Sequence, residues 1–342
     1  MSETPVATNR RGRGTGTSMT VLRWVLGETG IGVALIVLIL LWVAMAPNFT
    51  SSQNVSNILT QITLNTILAT GMTFVILVAG IDLSVGSVLA LCVMVAGLAL
   101  TRPLDAPVAV LFAIFASVGV GLVAGFLNGF ISERWKVPSF IVTLGMLNVA
   151  RGAALQTTNA KAVYGFPSSF NDFGSMSLFG VPAVFIVALI FVVIGQFVLT
   201  RTVFGRILYA VGNNEESVRL AGHRTARYKI AAFCICGAMV GVASIVYMTR
   251  LHTSSPIIGS GYELNAIAAV IIGGASLFGG KGSLVGTLLG ASLLGVLTNG
   301  LLLLGVGDFA RQMVTGAVIV VAVIIDYYRD KLSEKLLMRR DS

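Results

Sequence analysis

Pro107–Ile131 reads PVAVLFAIFASVGVGLVAGFLNGFI and carries no charged residue. About 20 consecutive apolar residues suffice for a helix to cross roughly 30 Å of hydrocarbon, so this stretch is long enough to span a bilayer. Similar runs lie near 30–46, 58–79, 85–101, 138–157, 181–200, 230–249, 264–278, 284–304 and 309–326. Composition agrees: 56% of the 342 residues are hydrophobic and only 11% are charged. A soluble domain is not built that way, and the chain reads as an all-α polytopic membrane protein with about ten transmembrane helices. Gly119, Gly121 and Gly125 in the opening stretch, like Gly286, Gly290 and Gly295 in the ninth, are small enough to let helix backbones approach closely in lipid.

The net charge of +9 would suggest nucleic acid in a soluble protein, but its distribution points elsewhere. With the N-terminus inside, most Lys and Arg fall on one side: four in the first 28 residues, Arg134, Lys136, six in 201–229, Lys281 and five after Tyr327. The opposite side holds Arg102, Lys161 and Arg250, with Arg151 and Arg311 near or within spans. This bias places both termini in the cytoplasm and argues against a nucleic-acid partner. Residues 1–28 are polar and Arg-bearing and read as a disordered cytoplasmic tail. The first span lacks a cleavage site and is uncleaved. The membrane domain covers 29–327, and 328–342 form a second cytoplasmic tail.

Nothing in the chain suggests catalysis, a metal or a cofactor. Cys92, Cys234 and Cys236 lie in apolar runs and lack redox or zinc spacing. His223 and His252 are isolated. The Gly280-Lys281 pair invites a phosphate-loop reading, which fails because position 275 is Ala and Lys281 is followed by Gly282. Two glycine-bounded breaks do interrupt the apolar pattern: Gly80-Ile-Asp82-Leu-Ser84-Val-Gly86, and Gly279-Gly280-Lys281-Gly-Ser-Leu-Val-Gly286. Asp82 and Ser84 are placed to cap the helix that follows, although a carboxylate in a membrane segment is also a functional candidate. Polar residues in the spans are mostly amides, including Asn65, Asn148 and Asn299. Amides both donate and accept, which suits passage of a neutral, hydroxyl-rich solute, and equally suits bonds between helices.

One polar island, Arg201–Lys229 (RTVFGRILYAVGNNEESVRLAGHRTARYK), interrupts the apolar pattern. Asn213 could cap a short helix, with Glu216 at the third position and Gly222 as terminator. So short a helix is marginal alone and needs docking. Its outer surface would offer Glu215, Glu216 and Arg219, with Val218 and Ala221 as an apolar stripe.

Thr202-x-x-Gly205-Arg206-x-x-x-Ala-Val-Gly212-x-Asn214-Glu215-Glu216, running on to Arg219-Leu-Ala-Gly222, resembles the cytoplasmic coupling loop of permease subunits from ribose-type monosaccharide ABC importers. Gly80–Ser87, Gly261-Tyr-Glu263-Leu-Asn-Ala-Ile-Ala-Ala-Val270, and Ile272-Gly-Gly-Ala-Ser-Leu-Phe-Gly279-Gly280-Lys281-Gly282 resemble other hallmark segments of that family. The likeness extends from about residue 30 to 327. It departs at His223, where an aliphatic residue is common, and at Asn265, where Asp is frequent.

The resemblance implies an ABC importer permease fold in a bacterial inner membrane. Two copies, as a homodimer, would form one pathway for a monosaccharide or polyol. A cytoplasmic ABC ATPase would lie beneath and a periplasmic or lipid-anchored sugar-binding protein above. Gly205, Arg206, Gly212, Asn214, Glu215, Glu216, Arg219 and Gly222 would couple to the ATPase, and the pathway residues are expected to be Asn65, Asn148 and Asn299. The competing class, from the residues alone, is a self-sufficient facilitator or secondary transporter.

Overall fold

The structure, a computed structural model, describes residues 28–338. All but Glu28 of the tail expected over 1–28, and residues 339–342 of the second tail, lie outside the described residues. Thirteen helices are formed among the described residues: α1 (Glu28–Met45), α2 (Ser52–Leu77), α3 (Val85–Leu100), α4 (Ala106–Trp135), α5 (Ser139–Gln156), α6 (Ser168–Ser175), α7 (Ala183–Arg201), α8 (Val203–Asn213), α9 (Glu215–Leu220), α10 (Thr225–Leu251), α11 (Tyr262–Ile272), α12 (Leu284–Leu303) and α13 (Asp308–Met338). A two-residue hairpin, β1 (Ser177–Leu178) and β2 (Val181–Pro182), joins α6 to α7. Each expected apolar run except 264–278 falls largely on a helix, and α2, α4, α7, α10 and α12 are long and apolar enough to cross a membrane.

The centre of the bundle is α2, where every residue from Thr66 to Leu77 is buried. A helix that is hydrophobic all round belongs in a core. Along α4, by contrast, Leu111, Phe115, Val123 and Phe126 stay exposed, as do Val193 and Phe197 on α7. In lipid, such faces need no protein cover.

The glycines work where backbones meet. A methyl group on Gly121 of α4 would run into the Gly237 carbonyl of α10, and one on Gly237 would run into the Gly121 carbonyl. The close approach lets the Ser117 hydroxyl donate to the Gly241 carbonyl at 2.9 Å. Gly119 faces open space instead. Cys92 and Cys236 are free thiols buried among these helices.

The run expected over 264–278 is not one helix. Helix α11 ends at Ile272, and Gly274, Gly279, Gly280 and Gly282 take positive φ, in the left-handed region. Glycine enters that region without the clash a Cβ would cause, so the chain turns repeatedly before α12. Eleven residues give α11 a length of about 16 Å, half of a membrane crossing. It is preceded by the non-helical segment 252–261. This segment descends along α3: Ser254 donates its hydroxyl to the Val93 carbonyl at 2.9 Å, and Gly259 lies against Gly86.

Candidate functional site

The polar island forms two short helices at one end of the bundle. Thr202 starts α8 by accepting from the Gly205 N–H at 3.2 Å, while its own hydroxyl donates to the Val198 carbonyl at 2.6 Å. Helix α8 is strongly amphipathic: Gly205, Ile207, Leu208 and Val211 are buried, and Arg206 is exposed. Because that apolar stripe keeps α8 helical through Asn213, the cap of α9 is Asn214, not Asn213. Asn214 leaves helical geometry and its side chain accepts from the Ser217 N–H at 3.0 Å. Helix α9 is therefore shorter than the 213–222 expected.

Val218 is buried under α9, as the apolar stripe of a docked helix requires, whereas Ala221 is exposed. Glu215, expected on the outer surface, points toward the bundle instead. Glu215 accepts from the Thr225 hydroxyl at 2.9 Å and pairs with Lys229, whose ammonium also reaches Glu133 at 3.1 Å. Burial pushes the Glu215 carboxyl up, but the Lys229 and Thr225 hydrogen bonds outweigh it and hold it below its ordinary value. The outer surface is left to Glu216 and Arg219, a 2.6 Å ion pair, and to Leu220 and Ala221. The Arg219 guanidinium lowers the Glu216 carboxyl and is raised in return. Gly222 closes the helix at φ +88°.

The island rests on both glycine-bounded breaks. Gly212 fits against the Leu77 carbonyl at the end of α2 and against Gly280. The Gly280 N–H donates to that same Leu77 carbonyl at 2.9 Å, and Gly279 lies against Ala79. The Tyr209 hydroxyl donates to the Gly282 carbonyl at 2.7 Å. Lys281 sits in this turn, where its carbonyl accepts from the Ser276 N–H at 3.1 Å. A displacement of α8 therefore bears directly on α2 and on the turn between α11 and α12.

The Gly80–Gly86 break is a buried polar knot, not a side-chain helix cap. Ser84 occupies the N-cap position of α3 with no side-chain cap bond. Asp82 is buried and accepts from both the Ser84 N–H, at 2.9 Å, and the Ser84 hydroxyl, at 2.6 Å. Asn128 of α4 donates to Ser84 at 3.0 Å, and Ser139 and Thr143 of α5 satisfy the Ile81 and Leu83 N–H groups at 3.1 Å each. The knot ties the start of α3 to α4 and α5.

Gly86 lies against Gly259 and the Glu263 carboxylate, so the two other hallmark segments also meet. Glu263 accepts from the Gly261 N–H at 3.1 Å. Arg151 of α5 donates to the Pro256 and Ile258 carbonyls, both at 2.7 Å. Backbone carbonyls outside regular structure still need donors when they are taken from water, and Arg151 supplies them for the 252–261 segment. The clue in the sequence was a lone charge in the run 138–157.

The amides separate into three environments. Asn299 is buried and exchanges two hydrogen bonds with Asn54, at 3.0 and 3.1 Å, which joins α12 to α2. Asn54 also donates to the Phe49 carbonyl at 2.9 Å; sequence reasoning missed it. Asn148 is exposed and bonds the Leu144 carbonyl of its own helix at 3.1 Å. Asn65 lines a cavity, a space of about 560 Å3 between α2, α11, α12 and α13, away from the polar island.

Residues 54–323 match the family described as branched-chain amino acid transport system / permease component. The chain is 41% identical to the ribose import permease protein of Escherichia coli (strain K12) over 89% of this chain and 94% of that one. It is 38% identical to the ribose import permease protein of Bacillus subtilis (strain 168), over 88% and 93%. It is 36% identical to a D-allose transport system permease protein of Escherichia coli (strain K12), over 85% and 89%. No solved structure matches.

Proposed function

This chain belongs to the permease family of ribose-type sugar ABC importers, within the branched-chain amino acid transport system / permease component group, and from that premise we infer how it works. It is the multi-pass membrane permease of an ABC monosaccharide importer. We propose ten crossings with both termini in the cytoplasm. Two copies form one pathway, a separate ATPase hydrolyses ATP at the cytoplasmic face, and a secreted binding protein delivers the sugar at the other. Ribose and D-allose, in the names of the relatives above, and L-arabinose, in that of a permease of Azospirillum brasilense 33% identical to this chain, define the substrate class we propose.

The observation that carries the coupling role is the seating of Gly212 on the Leu77 carbonyl and the Gly280 turn. A short surface helix, α9, is joined to α8 through the single residue Asn214, and α8 is packed against the ends of two core elements. Force applied to the exposed Glu216–Arg219 face is thereby delivered to the bundle. Asn214 and Gly222 fix the limits of that face, and Gly205 and Gly212 fix its seat. Asn65 lies on the pathway.

Vesicles reconstituted with the permease, its ATPase and its binding protein should accumulate sugar only when ATP is supplied. Accumulation by the permease alone, without the other two, would sink this reading in favour of a self-sufficient transporter.

A further inference from the structure

We propose that the cavity between α2, α11, α12 and α13 binds one neutral, hydroxyl-rich solute within a single protomer, with Asn65 and Arg311 making the directing hydrogen bonds. The inference rests on the importer function above and adds the place of binding and a residue, Arg311, that no sequence pattern singled out for it.

At about 560 Å3 the cavity falls within the range of roughly 300–1,000 Å3 found for small-molecule sites. Two of its lining groups are left incomplete. The Asn65 Oδ1 and the Arg311 Nε are both shielded from solvent and have no hydrogen-bond partner in the protein. Buried polar atoms are almost always paired, and leaving one unpaired costs about 1–3 kcal/mol. Both side chains line the cavity, and a turn of each toward a ligand would give the Asn65 acceptor and the Arg311 donor the partners they lack.

That combination selects a chemistry. A hydroxyl group donates and accepts at once, so a polyol satisfies Asn65 through one proton and Arg311 through one lone pair. A carboxylate could take the Arg311 proton but has nothing to give Asn65. An ammonium group could serve Asn65 but not Arg311. Asp308 pairs with the Arg311 guanidinium and offsets its charge, which weakens the attraction for anions. Tyr262 and Asn265, from the start of α11, complete a wall of ring and amide. Since α11 continues into the Gly274–Gly282 turn that holds α8, a solute here sits on the element that the coupling helix touches.

The test uses purified permease in lipid nanodiscs, with D-ribose, D-allose and L-arabinose as probes observed by saturation-transfer NMR. Asn65→Leu keeps volume and removes the acceptor; Arg311→Lys keeps the charge beside Asp308 and removes the Nε donor. Each variant should weaken binding of the preferred sugar by about tenfold, the typical effect of one directed hydrogen bond. The two sites are on different helices, so a variant that fails to fold leaves the other to decide. Wild-type affinity in both variants would overturn the assignment, as would tighter binding of D-ribonate than of D-ribose. If the complete transporter imports sugar but the nanodisc permease binds none of the three, this inference fails alone. If the complete transporter imports no sugar, the importer reading fails with it.

Discussion

Gly212 and Gly280 meet backbone to backbone, with the Leu77 carbonyl accepting from the Gly280 N–H between them. No side chain fits at Gly212, so Gly212→Ala must push α8 away from both α2 and the turn. Overpacking of this kind costs about 1–3 kcal/mol. The expected result is a lower melting temperature, together with ATP hydrolysis that continues while uptake falls. Uptake and stability equal to wild type would exclude a mechanical contact at this point.

Glu216→Ala addresses the outer surface instead. The Glu216–Arg219 pair is exposed, and exposed pairs contribute little to folding. The variant should melt like the wild type, yet uptake driven by the ATPase should be strongly reduced. A normal uptake rate would remove α9 from the coupling surface.

Glu215 gives a pH signature. Its folded carboxyl is held below the ordinary value of 4.5, with the hydrogen bonds from Lys229 and Thr225 outweighing burial. A depressed carboxyl contributes stability that is complete above the unfolded value and disappears as the pH falls through the folded one. Glu215→Gln should therefore melt lower than wild type at pH 7, and the difference should close as the pH drops below about 4.5. Thermal scans of both proteins from pH 7 to pH 3 measure it; a gap that widens on acidification contradicts the pairing.

Arg151 holds the Pro256 and Ile258 carbonyls. Arg151→Ala leaves both without a donor, at an expected loss of about 2–4 kcal/mol, and should loosen the 252–261 segment. Arg151→Lys keeps a cationic donor of different reach and should restore part of the stability. Denaturation in mild detergent, with labelling of a cysteine placed at Ile257, reads both effects; equal labelling in Arg151→Ala and wild type would show that other contacts hold the segment.

Asn54 and Asn299 make a reciprocal pair between α2 and α12. A double-mutant cycle with alanine should show coupling of about 0.6 kcal/mol, the average for polar contacts between membrane helices. Sugar flux should survive Asn299→Ala. Abolished flux without loss of stability would instead return Asn299 to the pathway.

Much of the architecture was legible from length, polarity and punctuation. The stretch Pro107–Ile131 had no composition except that of a membrane helix, and α4 covers it entirely. The Gly279–Gly282 cluster announced a break because repeated glycine is what a chain needs to enter the left-handed region. Polarity alone marked 201–229 as the surface feature, and the short docked helix formed there, displaced by one residue at its cap. These are local properties, and local properties are written in adjacent residues.

What the sequence could not assign was the company each polar residue keeps. Asn65, Asn148 and Asn299 look alike in the chain, yet one lines a cavity, one faces outward and one is locked to Asn54. Glu215 and Glu216 are neighbours, but one is bound to Lys229 and the other meets solvent. Arg151 and Ile258 are 107 residues apart before the fold brings them to 2.7 Å. Hydropathy determines which segments enter the membrane because each pays its transfer energy alone; the meeting of Gly212 with Gly280, or of Arg151 with a carbonyl, exists only once whole helices have packed and closed the space between them.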